Sequence, residues 1–309
     1  KIDFSGKKLI VIVGPTAVGK TALAIDVAKE FHTEIISADS RQIYRELTIG
    51  TAKPNEAELR EVPHHFINTH SISDDYDAAG FGEEGLVKIY SLFETHAYVV
   101  VCGGSGLYIK ALLEGFDDIP EVPDAVRDQL IEEFEAKGLL WLQNKMRELD
   151  PEHFATIDQK NPMRLMRALE VKLTTGKSIS SFQKKVTKSL PFQVVKIGLE
   201  LERAKLYERI DARMDEMLAA GLFEEAKQLY PFRDKNALQT VGYQEIFDFM
   251  DGKYDQEEAI RLLKRNSRRY AKRQLTWFKR DEGIKWFKAD EYNSVVDYIS
   301  NPQFIPRTS

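Results

Sequence analysis

The sequence predicts an α/β protein with a parallel sheet at its core, and three observations carry that reading. Short apolar runs at 8–13, 34–38 and 98–102 alternate with helical patterns, as strands and crossover helices do. The segment Gly14-Pro15-Thr16-Ala17-Val18-Gly19-Lys20-Thr21 joins the first run to an amphipathic stretch at 21–31 and matches a phosphate-binding loop. After Gly115 the texture turns helical, with no strand pattern until 194–199, where the sheet resumes. The fold class is therefore a P-loop NTPase-like core divided into three stretches. Residues 1–115 form its first part, 116–190 a mostly helical insertion, and 191–309 the completion of the core with basic C-terminal helices.

Each element has a chemical reading. The loop's glycines let the backbone wrap an anion, with its N–H groups and the positive end of the next helix pointing inward. Lys20 supplies a mobile cation for terminal phosphate oxygens, and the Thr21 hydroxyl is placed to ligate Mg²⁺. A bound diphosphate or polyphosphate follows from the loop; a particular reaction does not. Asp39 ends the second strand pattern, within Asp39-Ser40-Arg41-Gln42. Ligand crevices of open parallel sheets lie at the strand C-terminal ends, so Asp39 reads equally as a proton acceptor or as a helix N-cap. Gly103-Gly104-Ser105-Gly106-Leu107-Tyr108 follows the third strand. Its glycines allow close backbone approach and Ser105 can donate or accept, although a plain strand-to-helix turn would look the same. Cys102 is the only cysteine. It reads as a buried core thiol, and a chain without an internal disulfide suits a reducing cytoplasm.

In the insertion, Asn161-Pro162 is a helix start, with Leu165, Ala168, Leu169 and Leu173 as the buried stripe. Arg164 and Arg167 share an adjacent face, spaced for phosphate or base contacts and equally for a solvated surface. Helical patterns run from 204 to 280. There Arg209 and Arg213 stand at i,i+4, with Leu206, Ile210 and Met217 on the core side. A guanidinium fork suits a diphosphate, and pairing with a nearby acid is the plainer reading. The net charge is −5, yet between Arg261 and Arg280 there are nine Lys/Arg and no Asp/Glu. Within that stretch, 268–278 interleaves cations with aromatics, as a nucleic-acid surface or a core-packing terminal helix would. His64-His65 reads as a loop pair, since no Cys or carboxylate cluster completes a metal site. No apolar run reaches membrane-spanning length, and no signal-peptide core opens the chain.

Taken together, these residues closely resemble the tRNA dimethylallyltransferases, also called tRNA isopentenyltransferases. The resemblance rests on the phosphate loop, Asp39-Ser40, Gly50-Thr51-Ala52-Lys53-Pro54, the segment 103–108, the segment 164–170, Val241-Gly242-Tyr243 and the segment 271–278. It spans nearly the whole chain in order. It implies transfer of a prenyl group from dimethylallyl diphosphate to N6 of the adenosine 3′ of the anticodon in tRNA, the loop cradling the leaving group with Mg²⁺. The implied partners are the tRNA anticodon arm and dimethylallyl diphosphate, with no membrane, in a cytoplasmic monomer. By the same resemblance Asp39 is the general base, Ser105 stands where many members carry Thr, and Arg213, or alternatively Arg209, neutralises departing diphosphate. Asp39, Ser40, Arg41, Gln42 and Ser105 match tRNA-contact positions, as do Arg127, Met163, Arg164, Leu165, Met166 and Arg167. So do Gln239, Thr240, Val241, Gly242, Tyr243 and Gln244, although some relatives carry basic residues at the two ends of that stretch. Other readings of the loop are a small-molecule or nucleoside kinase, an adenylate prenyltransferase, or a nucleotide-gated RNA-binding switch. The insertion with Arg164 and Arg167 favours tRNA over a free nucleotide.

Overall fold

The computed structural model describes residues 2–115, 122–182 and 189–301. Strand β1 (Lys8–Val13) is apolar from Leu9 onward, which only a strand covered on both faces can afford. Its residues alternate between two cores: Leu9, Val11 and Val13 enter one, Ile10 and Ile12 the other. The phosphate loop then leads into α1 (Lys20–Glu30) and β2 (Ile35–Ser37). Next come the short α2 (Glu56–Glu61), β3 (His64–His65), α3 (Ala78–Phe93), β4 (Tyr98–Gly103) and α4 (Gly106–Glu114).

Chain contacts divide the molecule into two compact units, and the second runs from Gly115 to Lys188. That unit holds α5 (Asp124–Leu149), α6 (Pro151–Phe154) and α7 (Pro162–Thr175). Gly138 interrupts α5 with φ 81 and ψ −175, a conformation that glycine adopts without a Cβ penalty. Helix α7 starts as its sequence dictates: Asn161 accepts the Arg164 N–H and Pro162 takes the first position. Leu165, Ala168 and Leu169 are fully buried. Leu173 is not; it is 47% exposed, and Val171 is buried instead. The buried face advances from Leu165 through Ala168 to Val171 in steps of three, which carries Leu173 out to solvent.

The first unit resumes with β5 (Gln193–Leu199), α8 (Arg203–Ala219), α9 (Leu222–Leu229), α10 (Gln244–Met250), α11 (Gln256–Lys279), β6 (Ile284–Phe287) and α12 (Tyr292–Ser300). The sheet order is β3-β2-β4-β1-β5-β6, parallel throughout, and it is the core of a P-loop-like α/β fold. Two strands escape the sequence reading. His64-His65 is not a loop pair but the edge strand, registered on Ile35 and Ile36, with His65 Nε2 2.9 Å from Glu34. Strand β6 has four residues, and it is defined by pairing with β5 across the intervening helices. Because the strands are parallel, β1, β2 and β4 all present their C-terminal ends on one side. The phosphate loop, Asp39 and the Gly103-Gly104 turn emerge there together.

Candidate active site

A crevice of about 770 Å³, continuous with solvent, opens at those strand ends. Thr16, Lys20 and Thr21 line it from the phosphate loop, Asp39, Arg41 and Gln42 from the segment after β2, and Gly103 and Gly104 from the end of β4 and the turn that follows. Arg213 and Met217 reach it from α8, and Gln274 from α11. Gly14, Pro15, Ala17, Val18 and Gly19 are not part of the lining, so the loop meets the crevice through Thr16, Lys20 and Thr21.

The electrostatics favour an anion. Burial pulls the Lys20 ammonium down to about 8, with Cys102 and Asp39 opposing and Arg213 and Arg41 adding. Its Nζ donates to Pro15 O at 2.8 Å. Burial also pulls the Arg213 guanidinium below its usual value, against the pull of Glu216. An anion between the two cations would reverse both effects. For Arg41, burial opposes the charge, but Tyr270, Asp39, Tyr243 and Glu245 outweigh it and raise its value. Arg41 Nη1 donates to Val241 O at 3.1 Å, its plane lies over Tyr270, and its buried Nε has no partner among the described residues. A buried unpaired donor on a crevice wall is free to meet an acceptor on a ligand.

Asp39 caps a turn rather than a helix, since no helix begins after it until Ile49. Its Oδ1 accepts the N–H groups of Arg41 and Gln42 at 2.8 and 3.1 Å, so one oxygen fixes the turn. The same side chain lines the crevice. Ser105 sits behind it: its Oγ accepts the Ser40 N–H at 2.9 Å and lies 3.2 Å from Ser40 Oγ, tying the turn after β4 to that after β2. Ser105 is not part of the crevice lining. Of the i,i+4 pair on α8, Arg213 lines the crevice, while Arg209 is exposed and does not.

Two side chains have a second place that the sequence did not suggest, and two more stand elsewhere than expected. Cys102 packs against the core, as expected, and also lines the crevice, where burial pushes it up to about 11 and keeps it a protonated thiol. Met217 likewise packs against the core while lining the crevice, and Met214 is buried within that core. Tyr243 and Leu165 are fully buried and present no surface to a macromolecule. Tyr243 instead donates to Glu225 Oε2 at 2.9 Å. That carboxylate also accepts the N–H groups of Thr48, Ile49 and Gly50, anchoring the turn that carries Gly50 and Thr51 to the crevice wall. No short-range signal marks Glu225 for this role. Gln274 had one: it is a polar residue on the buried face of α11, between Ala271 and Phe278.

The Thr21 hydroxyl, the expected Mg²⁺ ligand, belongs to a residue that lines the crevice beside Lys20. Among the described residues no group of three His, Cys, Asp or Glu side chains could hold a metal, so a cage made of protein alone is not present. Mg²⁺ usually keeps several waters and binds through one or two protein oxygens plus phosphate oxygens, and Thr21 in a crevice lined by Lys20 and Arg213 fits that donor set.

The basic stretch divides by partner. Arg261, Lys264, Arg268 and Lys279 pair with Glu258, Asp215, Asp211 and Glu200. Arg269, Lys272 and Arg273 are exposed, with no carboxylate partner among the described residues. In the second unit, buried Glu170 takes Arg127 Nε on one oxygen at 3.2 Å and Arg167 Nη1 on the other at 3.3 Å. Arg164 is exposed and has no carboxylate partner among the described residues.

Residues 42–281 match the family model described as IPP transferase. The chain belongs to the IPP transferase family. Within that family it is 52% identical over 298 residues to a tRNA dimethylallyltransferase of Cytophaga hutchinsonii, covering 96% of this chain and 98% of the relative. Among solved structures it resembles the full-length tRNA isopentenylpyrophosphate transferase of Bacillus halodurans, at 38% identity and TM-score 0.70, covering 95% of this chain and 97% of the other. A eukaryotic dimethylallyltransferase, described as acting on tRNA, superposes with TM-score 0.79 at 28% identity, covering 97% of this chain and 81% of that one. The IPP transferase match begins at Gln42, so the phosphate loop and Asp39 are covered by the full-length relatives rather than by the family model.

Proposed function

We propose that this chain transfers a dimethylallyl group from dimethylallyl diphosphate to N6 of the adenosine 3′ of the anticodon in tRNA, releasing diphosphate. The observation that carries it is the convergence of Lys20, Thr21, Asp39 and Arg213 on one crevice, in a chain so similar to proteins named for that transfer.

The exocyclic amine of adenine is a weak nucleophile, so the allylic carbon must be activated by departure of its diphosphate. The bond from that carbon to the bridging oxygen breaks as the bond from N6 forms, and the electron pair leaves with the oxygen. Lys20, the loop amides and Arg213 stabilise this charge, the largest expected catalytic contribution. The amine proton passes to Asp39, whose Oδ1 is held by the turn amides and whose other oxygen carries the base role. Thr21 would hold Mg²⁺, which when bound supplies further neutralisation of the diphosphate. The adenosine must leave its stack to reach the carbon. The exposed cations of α11 and the arginines of the insertion are suited to the RNA backbone around it. We expect a monomer in the cytoplasm, where tRNA is found. Among the described residues no helix is long and apolar enough to cross a membrane.

The test is direct. Protein, unmodified tRNA, dimethylallyl diphosphate and Mg²⁺ are incubated, and the nucleosides are weighed by mass spectrometry. One adenosine per tRNA gains a dimethylallyl group, and added ATP is not consumed. ADP formation beside unchanged RNA would make the loop a kinase site instead.

The insertion gives a second expectation. Arg164→Ala weakens tRNA binding and lowers the slope of log affinity against log salt by about one, since each phosphate contact releases counterions. Arg167→Ala lowers it less, because Glu170 already neutralises part of that charge. Filter binding over a salt series measures both. Unchanged slopes would leave these arginines on an ordinary solvated face.

A further inference from the structure

Gln274 stands between two backbone segments that both border the crevice. Its side chain is buried, the residue being 7% exposed, although it belongs to α11, more than two hundred residues from the loop it touches. Its Oε1 accepts the Thr16 N–H at 2.9 Å, and its Nε2 donates to Gly104 O at 3.1 Å. The amide orientation is fixed by these partners, since the flipped form would set donor against donor and acceptor against acceptor. One side chain thus holds the phosphate loop and the turn after β4 at a set separation.

The turn is shaped to receive it. A Cβ on Gly104 would lie 2.4 Å from Gln274 Nε2, while the next neighbours, Gly14 O and Lys20 Nζ, stand 3.3 and 3.5 Å away. Gly104 is not among the glycines with positive φ, so its backbone conformation is open to any residue. Glycine is required there chiefly by the Gln274 amide. One turn further along α11, a Cβ on Gly106 would meet Trp277 Nε1 at 2.3 Å, so the helix lies against this turn at two successive places.

We propose that Gln274 is a positioning residue for the diphosphate: it clamps the phosphate loop to the Gly103-Gly104 turn, so that Thr16, Lys20 and Thr21 hold one geometry. This rests on the loop being the diphosphate site. The clamp is worth roughly what one buried hydrogen bond is worth, and it acts on the anion without touching RNA.

Calorimetric titration of Mg²⁺-pyrophosphate into the full-length protein tests it, with tRNA affinity measured in parallel. Gln274→Ala is expected to weaken pyrophosphate about tenfold and to leave tRNA affinity within about twofold. Gly104→Ala should weaken it at least as much by displacing the amide. The double variant should bind no more weakly than Gln274→Ala alone, because the side chain that excluded the new methyl is gone. Gln274→Glu keeps the length and the acceptor but loses the donor to Gly104 O and adds a negative charge, so it should be the weakest binder. This variant and Gly104→Ala carry the test if Gln274→Ala fails to fold. Additive losses in the double variant, wild-type pyrophosphate affinity in Gln274→Ala, or a loss confined to tRNA would each overturn the clamp. Failure of the wild-type protein to bind pyrophosphate would instead remove the diphosphate reading itself.

Discussion

Lys20→Ala is expected to slow prenyl transfer by about 10²–10³ and to abolish inhibition by inorganic pyrophosphate, the scale seen when one donor to a developing anion is removed. Arg213→Ala should act on the same step. The two residues lie far apart in sequence, yet both line one crevice, and burial disfavours the charge of each. An arriving diphosphate relieves that cost, and the relief grows as charge moves onto the leaving oxygen. Since both cations act on one developing charge, the double variant should lose less than the product of the two single losses. Single-turnover rates with excess enzyme measure all three. Tight competition by ATP with none by pyrophosphate would make the loop a nucleotide site and remove the support for transferase chemistry. Arg209→Ala serves as control and should leave the rate within about twofold, because an exposed charge outside the crevice is largely screened.

Asp39→Asn should lower the single-turnover rate by about 10²–10⁴ while tRNA affinity stays nearly intact, the range for positioned acid–base groups. The local geometry makes this substitution informative. Asparagine keeps an Oδ1 to accept from the N–H groups of Arg41 and Gln42, so the turn survives. What is lost is the second carboxylate oxygen and its capacity for a proton. Asp39→Ala removes both functions, and the difference between the two variants measures the cap separately. A large loss of tRNA affinity in Asp39→Asn with normal chemistry would make Asp39 a base-reading or structural residue.

Much of the fold was legible because its signals are local. Five apolar residues before a Gly-rich loop ending in Lys20-Thr21 need only neighbouring residues to be read as strand, anion loop and helix. Asn161-Pro162 marks a helix start on the same terms, and the loss of strand patterns after Gly115 marks a change of architecture. The chemistry of the loop follows from backbone N–H groups and one cation, both set by that short segment.

Position within the crevice was not legible, because it depends on which distant side chains meet. Periodicity placed Arg209 and Arg213 one turn apart on a single face, and only packing on α8 brings the second to the crevice and leaves the first in solvent. The same holds for Cys102 and Met217, read as core and found to line the crevice as well, and for Tyr243 and Leu165, read as contacts and found inside. Strands β3 and β6 are too short to carry a period of two and exist through the partners they pair with. Gln274 is the extreme case, since its partner Thr16 lies 258 residues away. The sequence by itself determined which segments could bind an anion, since backbone conformation answers to near neighbours. The tertiary structure decided which side chains face that anion, since burial and hydrogen bonding answer to neighbours in space.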